Sequence, residues 1–173
     1  MTPLPLVLNV VTTQAAWFAS VLGAAHGRTW VGPAAVGLAV AIHAPAVTWT
    51  DWRLGLFAAA LAMGAVVDSA LAWSGLVAYA GATVLAPPWI LCLWINLAIM
   101  LGGCLAWLRR MPWWVCALIG CAAGPGAYVG GEGLGALTFP HGRLTALAAL
   151  ALAWSICLPL LVRIQPSPGS AHA

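Results

Sequence analysis

Residues 53–73 read RLGLFAAALAMGAVVDSALAW. After Arg53 the stretch carries a single charge, Asp68, and its length matches the roughly 20 mostly apolar residues that a helix needs to cross a bilayer core. An ionised carboxylate at a span centre costs roughly 2.5–3.5 kcal/mol on insertion scales. Asp68 lies several residues from the nearer end, which lowers that cost, and a paired or protonated form lowers it further. Two readings follow: a structural Asp that hydrogen-bonds neighbouring helices, or a functional one that lines a cavity.

The rest of the chain is written in the same style. Over 173 residues, 64% are hydrophobic and 5% are charged, and the mean hydropathy is +1.02. Soluble domains carry roughly 25% charge, so no water-soluble surface can be assembled from this composition. The expected fold is an all-α, polytopic transmembrane helical bundle of about six spans, one domain over residues 1–163. The spans are read at about 4–25, 30–49, 53–73, 89–107, 112–128 and 143–163. A Gly- and Pro-punctuated apolar stretch after span three suggests a short re-entrant or interfacial segment. Residues 164–173 are expected to form a disordered polar tail, and the amino-terminal span is expected to be retained rather than cleaved, because it lacks a basic leading region.

Charge placement gives an orientation. The net charge of +3 comes from six arginines without a lysine, and their scatter argues against nucleic-acid binding. Arg53, Arg109, Arg110 and Arg163 fall on one side of the expected topology, and only Arg28 and Arg143 on the other. The positive-inside rule then puts both termini in the cytoplasm. Many tryptophans fall near the expected span ends, as an aromatic belt requires.

Few residues offer chemistry. Asn9, Thr12, Thr13, Ala16 and Ser20 share one face of span one, which interhelical packing explains without function, while Gln14 points to the side. Asn96 lies inside span four. Gly120 and Gly124 form a small-residue step of the kind that lets helices pack closely, continued by Tyr128 and Glu132, and Pro125 predicts a kink or unwinding at that end of span five. The topology brings Glu132, His141 and Arg143 to the side of Asp68, so the expected site is an outward-facing polar pocket of Asp68, Asn96, Tyr128, Glu132 and Arg143. Asn9 and Gln14 are further polar candidates.

The stretch from Gly124 to Gly135 lacks the spacing and the lysine of a phosphate loop. His43, two residues before Pro45, reads as a structural histidine beside a kink. The five cysteines read as small packing residues. No metal-ligand cluster, cofactor motif or catalytic motif is found, and no residue-by-residue repeat relates the two halves.

Taken together, Asn9 with Gln14 and Trp17-Phe18, then Asp68, Pro87-Pro88-Trp89 with Trp94, Gly124-Pro125 with Tyr128, and Trp154 resemble a small bacterial inner-membrane protein family catalogued only as a domain of unknown function. The resemblance covers nearly the whole chain and rests on single residues in an apolar background. It implies a multi-pass inner (plasma) membrane protein and supplies no activity. The family's neighbourhood with genes for fatty-acid-modifying methyltransferases implies a link to membrane-lipid modification or stress, and Asn96 stands where that family's asparagine in span four is expected. The size and span number also resemble the substrate-binding subunits of vitamin-uptake transporters.

The functional expectation is an integral membrane protein that binds or moves a small or lipidic molecule, with the lipid bilayer and a membrane partner subunit as further partners. Two alternatives stand beside it. One is an intramembrane enzyme or accessory subunit in lipid modification, with Asp68 or Glu132 as acid or base and His43 or His141 as its partner. The other is a structural partner subunit whose polar residues knit the bundle together.

Overall fold

Apolar runs in lipid must satisfy every backbone N–H and C=O within themselves, and an α-helix does so segment by segment. A computed structural model of the chain describes residues 3–46, 51–81 and 84–165. Its helices are α1 (Pro3–Ala25), α2 (Val31–His43), α3 (Asp51–Trp73), α4 (Pro88–Gly102), α5 (Trp113–Gly133) and α6 (Arg143–Ile164). Prolines mark two starts: Pro87 and Pro112 stand extended immediately before α4 and α5, where the missing N–H costs nothing. The chain is therefore an all-α membrane-type bundle.

Four helices, α1, α3, α5 and α6, are long and apolar enough to cross a membrane. The other two end earlier than the sequence suggested. Span two was expected over about 30–49, but α2 stops at His43 and a 3-10 turn, Ala44–Ala46, follows; residues 47–49 lie outside the described residues. Span four was expected to reach residue 107, but α4 stops at Gly102 and a second 3-10 turn covers Ala106–Arg110. The cause of that second stop is visible: the Cys104 N–H bonds to Asn9 Oδ1 at 2.9 Å instead of continuing the helical ladder. A Cβ on Gly103 would run into the same Asn9 amide. Of the expected polar tail, Ile164 still belongs to α6, and residues 166–173 lie outside the described residues.

The expected unwinding at Pro125 is not seen, since α5 runs unbroken through it. The step Gly120 and Gly124 serves packing: a Cβ at either position would collide with Trp154 of α6, and α5 against α6 is the most extensive helix pairing. Helix α4 sits centrally, packed on α1, α2 and α3, and α3 also meets α6.

At one end the connections form a cap. The segment after α3 folds back, and its two-residue strand β1 (Ala78–Tyr79) pairs antiparallel with β2 (Leu137–Thr138) from the α5–α6 connection, with Tyr79 opposite Leu137. Val77, Tyr79 and Leu137 thereby enter the hydrophobic core that Val21, Trp89, Tyr128 and Leu150 share. The outer wall is apolar, with residues such as Val11, Leu38, Val66 and Leu152 exposed, as lipid contact demands. Exposed tryptophans mark both ends: Trp30 and Trp73 at the cap, Trp107, Trp113 and Trp114 at the opposite end. These are the two levels at which an aromatic belt sits.

Candidate functional site

Asp68 is wholly buried, at 0% exposure. Three donors from three different segments converge on it. The Tyr79 hydroxyl donates to Oδ1 at 2.7 Å, the Trp94 indole N–H donates to Oδ2 at 2.7 Å, and the Tyr128 hydroxyl also donates to Oδ1. The cap strand, α4 and α5 are thus tied to one carboxylate on α3. Burying such a group without partners would be prohibitive, whereas donors aimed at both oxygens replace the lost water. Gly64, one turn below Asp68 on α3, leaves the space that the Trp94 ring fills, and Trp94 stacks on Trp154 with ring centroids 4.8 Å apart. Tyr79 lies in the cap, outside the spans, and burial, reinforced by Tyr128 and Asp68, pushes its phenol well above the ordinary tyrosine value. It stays protonated and keeps donating.

In front of this cluster, between the α1–α4 pair and the α5–α6 pair, lies a cavity of about 360 Å³. Its wall is aromatic and apolar, with Trp17, Trp89, Trp94, Tyr128 and Trp154 contributing, and its polar lining includes Gln14 and Asn96. Gln14 on α1 and Ala123, Gly126 and Ala127 on α5 line it and are exposed, so the cavity opens through the side of the bundle between those helices. Asn96 is 3% exposed. Its Nδ2 donates to the Thr13 carbonyl at 3.0 Å, but its Oδ1 has no partner, and the Trp154 Nε1 is likewise buried without one.

The sequence-derived candidates thus fall into separate places. Gln14, Asn96 and Tyr128 line the cavity; Asp68 stands behind its wall, joined to it through Tyr128 and Trp94. Glu132 and Arg143 pair with each other at 3.2 Å near the cap, both partly exposed. Asn9 belongs to a second polar knot, where its Nδ2 lies 3.3 Å from His43 Nε2 and donates to the Ile99 carbonyl at 3.3 Å. His141 meets the Gly75 carbonyl at 2.7 Å. The hydroxyls of Thr12, Thr13 and Ser20 bond back to their own helix, so the bonds that cross helices from that stripe come from the Asn9 side chain and the Thr13 carbonyl.

Tyr79, Trp94 and Trp154 were not among the candidates read from the sequence. A signal was present: the chain has only two tyrosines, and both donate to its one mid-span carboxylate.

Among the described residues no group of three or more His, Cys, Asp or Glu side chains is placed to hold a metal ion. No curated protein and no solved structure matches the chain. A family model does, over residues 6–160. On that match, which takes in α2 to α5 entire together with Asp68, Asn96 and the cavity between the helix pairs, the chain belongs to the family described as a protein of unknown function, DUF2878.

Proposed function

We propose that this membrane protein binds a small, neutral, lipidic molecule in the cavity between the α1–α4 and α5–α6 pairs, with Asn96 as its polar contact. One observation carries the reading: Asn96, which lines a 360 Å³ cavity, keeps a buried Oδ1 acceptor with no partner. An unpaired buried polar group costs roughly 1–3 kcal/mol, and ligand sites span roughly 300–1,000 Å³. Among the described residues no Asp, Glu, Arg or His lines the cavity, which favours a neutral ligand. The opening through the side of the bundle favours entry from the bilayer rather than from water.

The alternative of an intramembrane acid or base draws no support from Asp68, both of whose oxygens already accept hydrogen bonds. For the location we propose the bacterial inner membrane with both termini in the cytoplasm. The arginine asymmetry supports this, with Arg53, Arg109, Arg110 and Arg163 at the end away from the cap. Labelling of an Arg53→Cys variant from outside the cell, in a background without the native cysteines, would reverse that orientation.

The cavity is tested by mass spectrometry of the small molecules that stay with the protein in mild detergent, comparing wild type with Gly126→Leu. A Cβ at Gly126, an exposed residue of the cavity lining, meets nothing within 4 Å, so a larger side chain at the opening is expected to narrow it without a clash. A compound enriched in wild type and lost from the variant at equal thermal stability is the expected result. Identical compounds in identical amounts would remove the proposal.

A further inference from the structure

At the end of the bundle away from the cap, the last turn of α6 and the segment leading into α5 enclose a second cavity, of about 190 Å³. Arg109, Trp113, Arg163 and Gln165 line it, and among the described residues no acidic side chain does. Two arginines therefore border one small space, Arg109 half-buried and Arg163 exposed. Arg109 is held in place by its Nε, which donates to the Ala106 carbonyl at 3.1 Å. Arg163 lies close enough to act electrostatically on Cys116 in the same wall. Arg53, at the start of α3, repels Arg109 from outside the cavity.

Gln165 makes this more than a basic patch. Its residue is 5% exposed, and neither its Oε1 nor its Nε2 has a hydrogen-bond partner. Like charges gathered in one place and a primary amide stripped of water without compensation are both unfavourable. One kind of group relieves both: an anion with several acceptor oxygens, able to take hydrogen bonds from two guanidinium groups and the amide Nε2 together. Phosphate meets that demand, and arginine is the side chain whose forked donors suit it. A hydroxyl carried beside the phosphate would also satisfy Oε1.

The position indicates where the phosphate comes from. The cavity lies between the ends of two helices long enough to span a bilayer, α5 and α6, level with the exposed Trp113 and Trp114. Tryptophan at that level marks the headgroup region, and basic pockets among transmembrane helices suit anionic headgroups. We propose that Arg109, Arg163 and Gln165 form a binding site for a phosphate group, presented by an anionic glycerophospholipid of the surrounding leaflet. This site is independent of the cavity between the helix pairs.

The full chain in neutral detergent is titrated with dioleoylphosphatidylglycerol, dioleoylphosphatidylcholine or inorganic phosphate, and the unfolding temperature is followed by tryptophan fluorescence. Phosphatidylglycerol is expected to raise it saturably and phosphatidylcholine to leave it unchanged. In the double variant Arg109→Gln, Arg163→Gln, the half-saturating lipid concentration is expected to rise about thirtyfold, while Arg28→Gln at the cap leaves it unaltered. An equal response to both lipids, or a phosphatidylglycerol response untouched by the double variant, would overturn the site. A response to inorganic phosphate with the same arginine dependence would keep the phosphate chemistry and overturn the lipid as its source. Should the double variant fail to fold, Gln165→Leu removes the amide without changing charge; it is expected to weaken the lipid response several-fold, and an unchanged response would overturn the proposal.

Discussion

Asp68 and Asn96 are both polar side chains sealed inside an apolar bundle, at 0% and 3% exposure, yet their surroundings are opposite. Three donors cover both oxygens of the carboxylate. The amide, in a residue that lines the cavity, spends one donor on the Thr13 carbonyl and leaves its oxygen with nothing to accept. The contrast separates two uses of polarity in a membrane protein. Where every lone pair is answered from within the chain, the group fixes the packing; where one is left over beside empty space, it is available to something else. Charge alone, which made Asp68 the most conspicuous residue of the sequence, does not distinguish these uses.

The comparison breaks first at Asp68. Replacing it with leucine removes the acceptor for Tyr79, Tyr128 and Trp94 together and strands three buried donors, so about 3–5 kcal/mol of stability should be lost. The readout is a fall in the thermal unfolding midpoint, or loss of a monodisperse species in detergent; a variant as stable as wild type would deny the cluster its structural role. Next in size is Gly124→Leu, which forces a side chain into Trp154 and should cost about 1–3 kcal/mol by overpacking, read from the same unfolding midpoint. Because Trp154 also lines the cavity, bound small molecules should diminish too.

Asn96→Leu sharpens the contrast instead. It gives up one interhelical hydrogen bond, worth on the order of 0.6 kcal/mol, and removes an unpaired acceptor, so stability should change by less than about 1 kcal/mol while the co-purifying compound disappears. If stability collapses and the compound stays, the assignments of the two residues must be exchanged. The smallest effect is expected at the partly exposed pair of Glu132 and Arg143: Glu132→Gln should shift stability by about 0.5 kcal/mol or less, visible only as a slight change in midpoint at low salt.

Much of the bundle was legible in the sequence, because hydropathy over a helix-length window is a direct readout of lipid as solvent. The starts of α4 and α5 were marked by Pro88 and Pro112. What escaped depends on contacts distant in sequence. The end of α4 is set by Asn9, 95 residues before the Cys104 amide that it captures, and no local pattern records that. Tyr128 could be placed on the side of Asp68 by topology, whereas Tyr79 sits in a connection whose fold depends on pairing with β2. Trp94 and Trp154 entered the family resemblance without any role attached, since an indole N–H in an apolar run carries no local sign of its partner. The cavity is a void between two helix pairs, and voids are not written in any one helix.

The shortness of α2 has a consequence for the membrane around the protein. Its 13 residues span about 20 Å, whereas the 23 residues of α3 span about 35 Å, against a hydrocarbon core of about 30 Å. Because α2 turns Leu38 and Ile42 toward the surface, lipid meets a low wall on that side and a full-height wall on the other. A bilayer that fits the described height of α2 thins along that flank, so the protein is expected to partition toward thinner membranes and to drift, within one membrane, to regions already deformed.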